Sequence, residues 1–351
     1  MYTQTATDPI RVGIAGLGRS GWNLHVNALA DMPEQYRVVA VSDPNVERQQ
    51  EARTRLGCRA YPDLAGLLAD GAVELVVLAT PSHLHPAEAI AAMQAGKDVL
   101  VEKPFAPSLA EADSMLAVAQ STGRVLSGSQ NSRYAADFLK VREVLDSGKL
   151  GRILQVRINW HSFRRRWDWQ TLKEFGGGSL NNDGSHAIDQ ALLLLGDAAP
   201  RVFCHMECTP LSSGDAEDHV KVLLHAPGAP LIDLEFSNAC AYPQEPWLVL
   251  GTSGGLAGTH SRLRWRYVDA AKLPARPVDR EPTPDRTYNR EELPWVEESA
   301  DLAGEAPRAS NKRLYADLYA TLRQGAPLAI TPQSIRRQIA VLEQCRALSP
   351  V

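Results

Sequence analysis

Two short stretches carry the side chains that could do chemistry: "VEKP" at 101–104 and "GGGSLNNDGSHAID" at 176–189. The first sets Glu102 and Lys103 before a proline. The second leads through three glycines into a helical pattern whose first turns hold Asn182, Asp183, His186 and Asp189. At about 100° per residue, Asn182, His186 and Asp189 share a stripe about 60° wide, with Leu180, Ala187, Ile188, Ala191, Leu194 and Leu195 opposite. Asp183 falls off that stripe. Histidine titrates in the range needed to accept or return a proton. A lysine beside a substrate and a cationic ring has a lowered pKa, and its N–H groups stabilise a developing alkoxide. The chemistry such a pair suits is proton transfer at a hydroxyl being oxidised. By itself, the stripe is equally well a solvated helix face.

A third stretch points to a cofactor site. "GLGRSG" sets Gly16, Gly18 and Gly21 in G-x-G-x-x-G spacing, after an apolar strand pattern and before a helical one. Gly16 suits the tight turn, Gly18 lets backbone N–H groups approach a pyrophosphate, and Gly21 allows close helix packing. Arg19 and Ser20 lie in the same loop, where a helix N-terminus offers unpaired donors to phosphate. Asp43 stands at the end of the next strand, placed to accept from the adenosine ribose hydroxyls and to repel a 2′-phosphate. The expected cofactor is therefore NAD rather than NADP, with Arg48 near enough to soften the choice.

The elements that position these groups fall into two sets. Up to about residue 125, the strand candidates "RVGIAG", "RVVAVSD", "VELVVLAT", "DVLVEK" and "GRVLSGS" alternate with helical segments, the pattern of a doubly wound parallel sheet. After about 130, a helix at 137–148 leads into strand-like runs with few helices between, which predicts an α+β domain with a large, mostly antiparallel open sheet. A helix over 178–195 covers part of that sheet. In "RLRWRYVD", Arg262, Arg264 and Arg266 alternate with Leu263, Trp265 and Tyr267. The expected division is a Rossmann domain at 1–128 and a substrate-binding and oligomerisation domain at 129–331. The closing helix 332–347 packs back on the first. Residues 272–307, rich in proline and charge, read as a long excursion.

Further motifs at strand ends point to a family. "ATPSHLH" (79–85) and "AGKDVLVEKP" (95–104) lie where ligands bind in an open α/β sheet. Together with the glycine fingerprint, "QNSRYAADF" (130–138) and "GGGSLNNDGSHAIDQAL" (176–192), they make the chain resemble the Gfo/Idh/MocA oxidoreductases across nearly its whole length. The resemblance implies NAD(P)-dependent oxidation or reduction of a sugar, cyclitol or related polyol, in a homodimer or homotetramer built through the open sheet. It also implies roles for particular residues. Glu102 would contact the nicotinamide ribose and Lys103 the reacting oxygen, with a cis bond before Pro104. Thr80, Pro81 and His85 would line the nicotinamide end, and Asn131 and Arg133 would lie near the cleft.

That family's usual pattern is D-x-G-x-H, and aligning Gly184 with His186 puts Asn182 where its aspartate belongs. Loss of that charge should lower the histidine pKa, unless Asp189 replaces part of it. The expectation is that Lys103 and His186 carry the proton chemistry, that Asn182 orients substrate or lysine, and that Asp183, Arg133 and Arg164 help to bind substrate. Two other readings stay open: cleavage or modification of glycosides through transient oxidation, and a cofactor-binding regulator without turnover.

Composition excludes several classes. With 351 residues, 44% hydrophobic and 22% charged, the chain is long enough for two ordinary domains and too apolar for a disordered one. A net charge of −4 gives no field for nucleic acid or anionic membrane. The arginines of "HSFRRRWDW" (161–169) therefore read as salt bridges or as substrate contacts through Arg164 or Arg165. No apolar run approaches the ~20 residues of a membrane span, and the first residues have no signal-like pattern. Five scattered cysteines suit free thiols in the cytoplasm. Strand alternation separates His205 from Cys204 and Cys208, so no metal site is expected. Tyr288 and Trp295 are candidates for a lid.

Overall fold

β-branched runs too short to span the molecule alone pair into a fully parallel sheet. Its strands are Ile10–Ala15 (β1), Tyr36–Ser42 (β2), Arg59–Tyr61 (β3), Leu75–Leu78 (β4), Asp98–Val101 (β5) and Leu126–Gly128 (β6), in the order β3-β2-β1-β4-β5-β6. The structure, a computed structural model, describes residues 8–282, 286–304 and 308–351. The N-terminal stretch read above for a signal pattern and parts of the 272–307 excursion lie outside the described residues. Helices cover both faces of the sheet, so Leu75, Val76, Val77 and Leu78 are all fully buried, as the uninterrupted apolar run requires. Strand order reverses between β1 and β4, which opens a crevice beyond their carboxyl ends.

The second sheet has eight strands: Ile153–His161 (β7), Arg201–Glu207 (β8), His219–His225 (β9), Leu231–Ser237 (β10), Trp247–Gly251 (β11), Gly254–Gly258 (β12), Arg262–Tyr267 (β13) and Val296–Asp301 (β14). Their order is β14-β13-β12-β11-β7-β10-β9-β8; only β7 and β10 pair in parallel. The inner face (Val156, Ile158, Val220, Val222, Leu234 and Phe236) packs in one core with Ile188 and Ala191 of helix Ser185–Leu195. The outer face carries Arg264, paired with Glu245 at 2.6 Å, and Arg266, whose guanidinium lies 4.6 Å from the Trp295 ring centre. Trp295 is thus part of the sheet edge, and the expected excursion contains a strand, β14. In β8, Cys204 is buried while His205 turns outward to Glu207, 3.4 Å away.

Two closing helices join the cores. Helix Ala309–Gln324, which follows the second sheet in the chain, sends Leu314, Tyr315, Leu318 and Tyr319 into the core of the first. Helix Pro332–Leu348 divides itself: Ile335 and Ile339 enter the first core, Val341, Leu342 and Cys345 the second. Among the described residues, no helix is long and apolar enough to cross a membrane.

Candidate active site

The glycine turn after β1 has the geometry its spacing demands. Gly16 has φ +86°, where a side chain is strained, and a Cβ there would come within 2.6 Å of Ala79 O. At Gly21 a Cβ would lie 1.9 Å from Gly16 O, so the next helix can approach the strand only without one. Gly18 differs: nothing lies within 4 Å of its missing side chain. That open, Cβ-free backbone fits the pyrophosphate of a dinucleotide. Ser20 begins the following turn without spending its hydroxyl on a cap, and Arg19 is exposed. Asp43 is buried; Oδ2 accepts the Leu17 N–H at 2.7 Å and Oδ1 the Asn45 N–H at 2.9 Å. Its carboxylate therefore fastens the glycine turn to the end of β2. Arg48 lies 3.4 Å from Oδ2 and offsets its charge.

β5 ends one residue before Glu102, and the Lys103–Pro104 peptide is cis. Glu102 is buried and accepts from His25 Nε2 at 2.9 Å; His25 Nδ1 in turn meets the Tyr315 hydroxyl at 2.7 Å. Burial pushes the Glu102 pKa up, but the hydrogen bond and charge of His25, with Ser129 and Lys103, hold it at about 2. Sequence alone could not reveal this chain of contacts, since His25 and Tyr315 meet only through the tertiary fold.

Lys103 Nζ reaches across the cleft and donates to the backbone carbonyl of Asn182 at 2.9 Å. Burial lowers its pKa, against the charges of Glu102 and Asp183. The helix holding His186 opens with a wide i→i+5 turn, Leu180–Gly184, before the α-helix begins at Ser185. Residues there do not follow α-helical spacing. Asp183 accordingly lies within electrostatic reach of Lys103, Arg164 and Arg166, although burial still pushes its pKa up. His186 is half-buried, and its Nδ1 is buried without a partner among the described residues. Its ring centre lies 6.3 Å from Trp160. Burial first, then the Lys103 charge, lowers the His186 pKa to about 3, so the ring is neutral at ordinary pH.

Other expected residues are placed differently. Asp189 is buried, and both its oxygens receive Arg133 at 2.7 Å, so it lends no charge to His186. Arg133 also donates to Ser334 at 2.9 Å and is itself buried. A buried guanidinium needs such a partner, and the pair braces the helices beneath the cleft instead of facing substrate. Asn131 Nδ2 donates to Asn311, which donates to Leu24 O at 3.1 Å. His85 is buried between two backbone carbonyls, Pro104 O at 2.8 Å and Thr80 O at 3.0 Å, and joins the Thr80–Pro81 turn to the loop after Lys103. Thr80 spends its hydroxyl on Glu88.

Beside Asn182, a small concavity is lined by Arg164, Arg166, Gln170, Ser179 and Asn238, among others. Arg166 was not among the expected residues. Strand alternation was the available signal, since residues 164 and 166 share a face and 165 does not.

Comparison with known proteins agrees with this geometry. Residues 10–129 match an oxidoreductase family with an NAD-binding Rossmann fold, and residues 138–257 match the Gfo/Idh/MocA C-terminal domain. An uncharacterized oxidoreductase of Schizosaccharomyces pombe is 32% identical over 62% of this chain and 60% of its own. The chain therefore spans less than two thirds of that relative's length. Inositol 2-dehydrogenase 2 of Saccharopolyspora erythraea is 30% identical over 86% of this chain and 88% of its own. Among solved structures, an NAD-binding protein from Listeria innocua superposes with a TM-score of 0.81 at 22% identity, covering 97% of both chains.

Proposed function

Because the chain belongs to the Gfo/Idh/MocA oxidoreductase family, we propose that it interconverts a hydroxyl and a keto group on a sugar, cyclitol or related polyol, with NAD favoured over NADP. When bound, the nicotinamide ring exchanges the hydride with the substrate carbon. Gly16, Gly18, Arg19, Ser20 and Gly21 would hold the pyrophosphate and Asp43 the adenosine ribose. Glu102, kept ionised by His25, would hold the nicotinamide ribose, with the Thr80–Pro81 turn at the same end, braced from behind by His85. The inositol dehydrogenase activity of the S. erythraea relative supports a cyclitol-like substrate. We further assign residues 1–128 to the dinucleotide domain and 129–331 to the substrate domain, except that helix Ala309–Gln324 packs into the core of the first. We place a homo-oligomer contact on the outer face of the second sheet, where Phe203 and Leu250 stand exposed.

The observation that carries the reading is Lys103 Nζ, half-buried, lowered in pKa and held by the carbonyl of Asn182, four residues before His186. Oxidation releases a proton from the substrate hydroxyl, and a neutral lysine accepts it. In the reverse direction the ammonium returns it. His186, too weak a base at a pKa of about 3 to take that proton itself, hydrogen-bonds the hydroxyl through Nε2 and aims it at Lys103. Asn182 and Asp183 complete the substrate wall.

The test is turnover on inositols, sugars and sugar derivatives with NAD and NADP in parallel, followed by Lys103→Met and His186→Asn. We expect Lys103→Met to bind dinucleotide yet lose roughly 10²–10⁴-fold in kcat, and His186→Asn to lose less. Near-normal turnover by Lys103→Met would overturn the assignment.

A further inference from the structure

We propose that the substrate carries a carboxylate, as a sugar acid does, and that the terminal amino groups of Arg164 grip it; this rests on the oxidoreductase reading above. Beyond β7 the chain stays extended, with the Ser162 N–H on Ser237 O at 2.8 Å and the Arg164 N–H on Asn238 O at 3.0 Å. Arg164 and Arg166 therefore project toward the same concavity as Asn182. The two arginines are not equivalent. Arg166 is occupied: it pairs with Asp168 at 2.8 Å and donates to Gln170 at 2.7 Å. Arg164 is anchored by Nε alone, to Asn238 Oδ1 at 2.7 Å, an oxygen that also takes the Ser162 hydroxyl at 2.9 Å. Its two terminal amino groups find no carboxylate among the described residues.

The acidic side chains in the same wall are already engaged. Glu217 Oε1 accepts the Leu180 N–H at 3.0 Å, and both oxygens of Asp218 accept from Thr209 at 2.7 Å. Arg166 has its carboxylate in Asp168, while Asp183 is shared electrostatically among Lys103, Arg164 and Arg166. The free end of a guanidinium matches a carboxylate in a bidentate pair, so a substrate acid group at Arg164 would be both neutralised and oriented. A neutral sugar would leave that cation unmatched.

Calorimetry on the NADH-loaded protein with glucuronate and with glucose reads the inference without needing turnover. We expect glucuronate to bind at least ~10-fold more tightly, the advantage to vanish in Arg164→Gln, and the change in affinity to be absent in Arg165→Gln, whose side chain lies on the other face. Equal binding of acid and neutral sugar, or an advantage that survives Arg164→Gln, overturns it. Failure of the oxidoreductase reading looks different: the acid binds through Arg164, yet no sugar or sugar acid is turned over with either dinucleotide.

Discussion

The two neighbours Asn182 and Asp183 exchange the parts that spacing predicted for them. An α-helical wheel puts Asn182 with His186 and turns Asp183 away. The wide turn Leu180–Gly184 breaks that phase, and it is Asp183 whose charge reaches Lys103. Asn182 holds the lysine with its backbone carbonyl, which any residue supplies. Asn182→Ala should therefore keep the lysine anchored and cost less than about tenfold in kcat/KM, the loss of one ordinary side-chain hydrogen bond. Asp183→Asn should act on pH instead. The carboxylate raises the Lys103 pKa, so removing it lowers that pKa further and leaves more neutral lysine at a given pH. In the oxidation direction, the rising limb of kcat/KM against pH should move to lower pH. His186 contributes no limb above its pKa of about 3. A profile that stays put in Asp183→Asn would show that the two charges are not coupled.

At the scale of elements, the first turn separates folding from binding. A side chain at Gly21 would drive its Cβ into Gly16 O, a backbone atom that cannot swing aside, whereas one at Gly18 meets open space. Gly18→Ala should keep the wild-type unfolding midpoint and weaken dinucleotide binding. Gly21→Ala should lower the midpoint, by on the order of 1–3 kcal/mol of stability, as well as the affinity. Equilibrium unfolding beside a titration of NADH fluorescence distinguishes them; equal loss of stability in both would refute the division. The same turn was legible in the sequence because its glycines sit between an apolar run and a helical pattern. Three strands carry no such signal in the sequence. β3 has only three residues, "RAY". β12 reads "GGLAG", with glycine where the neighbouring strand runs close: a Cβ at Gly254 would lie 2.2 Å from Arg266 O. β14, "VEESAD", sits on a sheet edge, where charge is tolerated and the apolar alternation fades. The burial of Asp189 against Arg133 is hidden for a related reason. Polar residues on a helix read as a surface stripe, and only the fold shows that the two charges bury each other.

At the scale of the whole molecule, the cleft is held by the end of the chain. Gln338, on helix Pro332–Leu348, meets Gln130 at 3.1 Å and donates to Ser185 O beside His186. Tyr315 on the preceding helix completes the contact to His25 and Glu102. Sequence indicated that the last helix returns to the first domain; it gave no sign that the helix before it also belongs to that core, because burial of Tyr315 and Tyr319 depends on partners far away in the chain. Since one continuous helix places Ile339 in the first core and Leu342 in the second, neither core can lose its packing while the helix stays seated. The two domains should consequently unfold together. Ile339→Ala and Leu342→Ala should each cost roughly 2–5 kcal/mol and shift one shared transition in calorimetry. Two separated transitions, with each substitution moving only its own, would mean that the helix follows the domains without coupling them, and that the distance from Lys103 to His186 is set elsewhere.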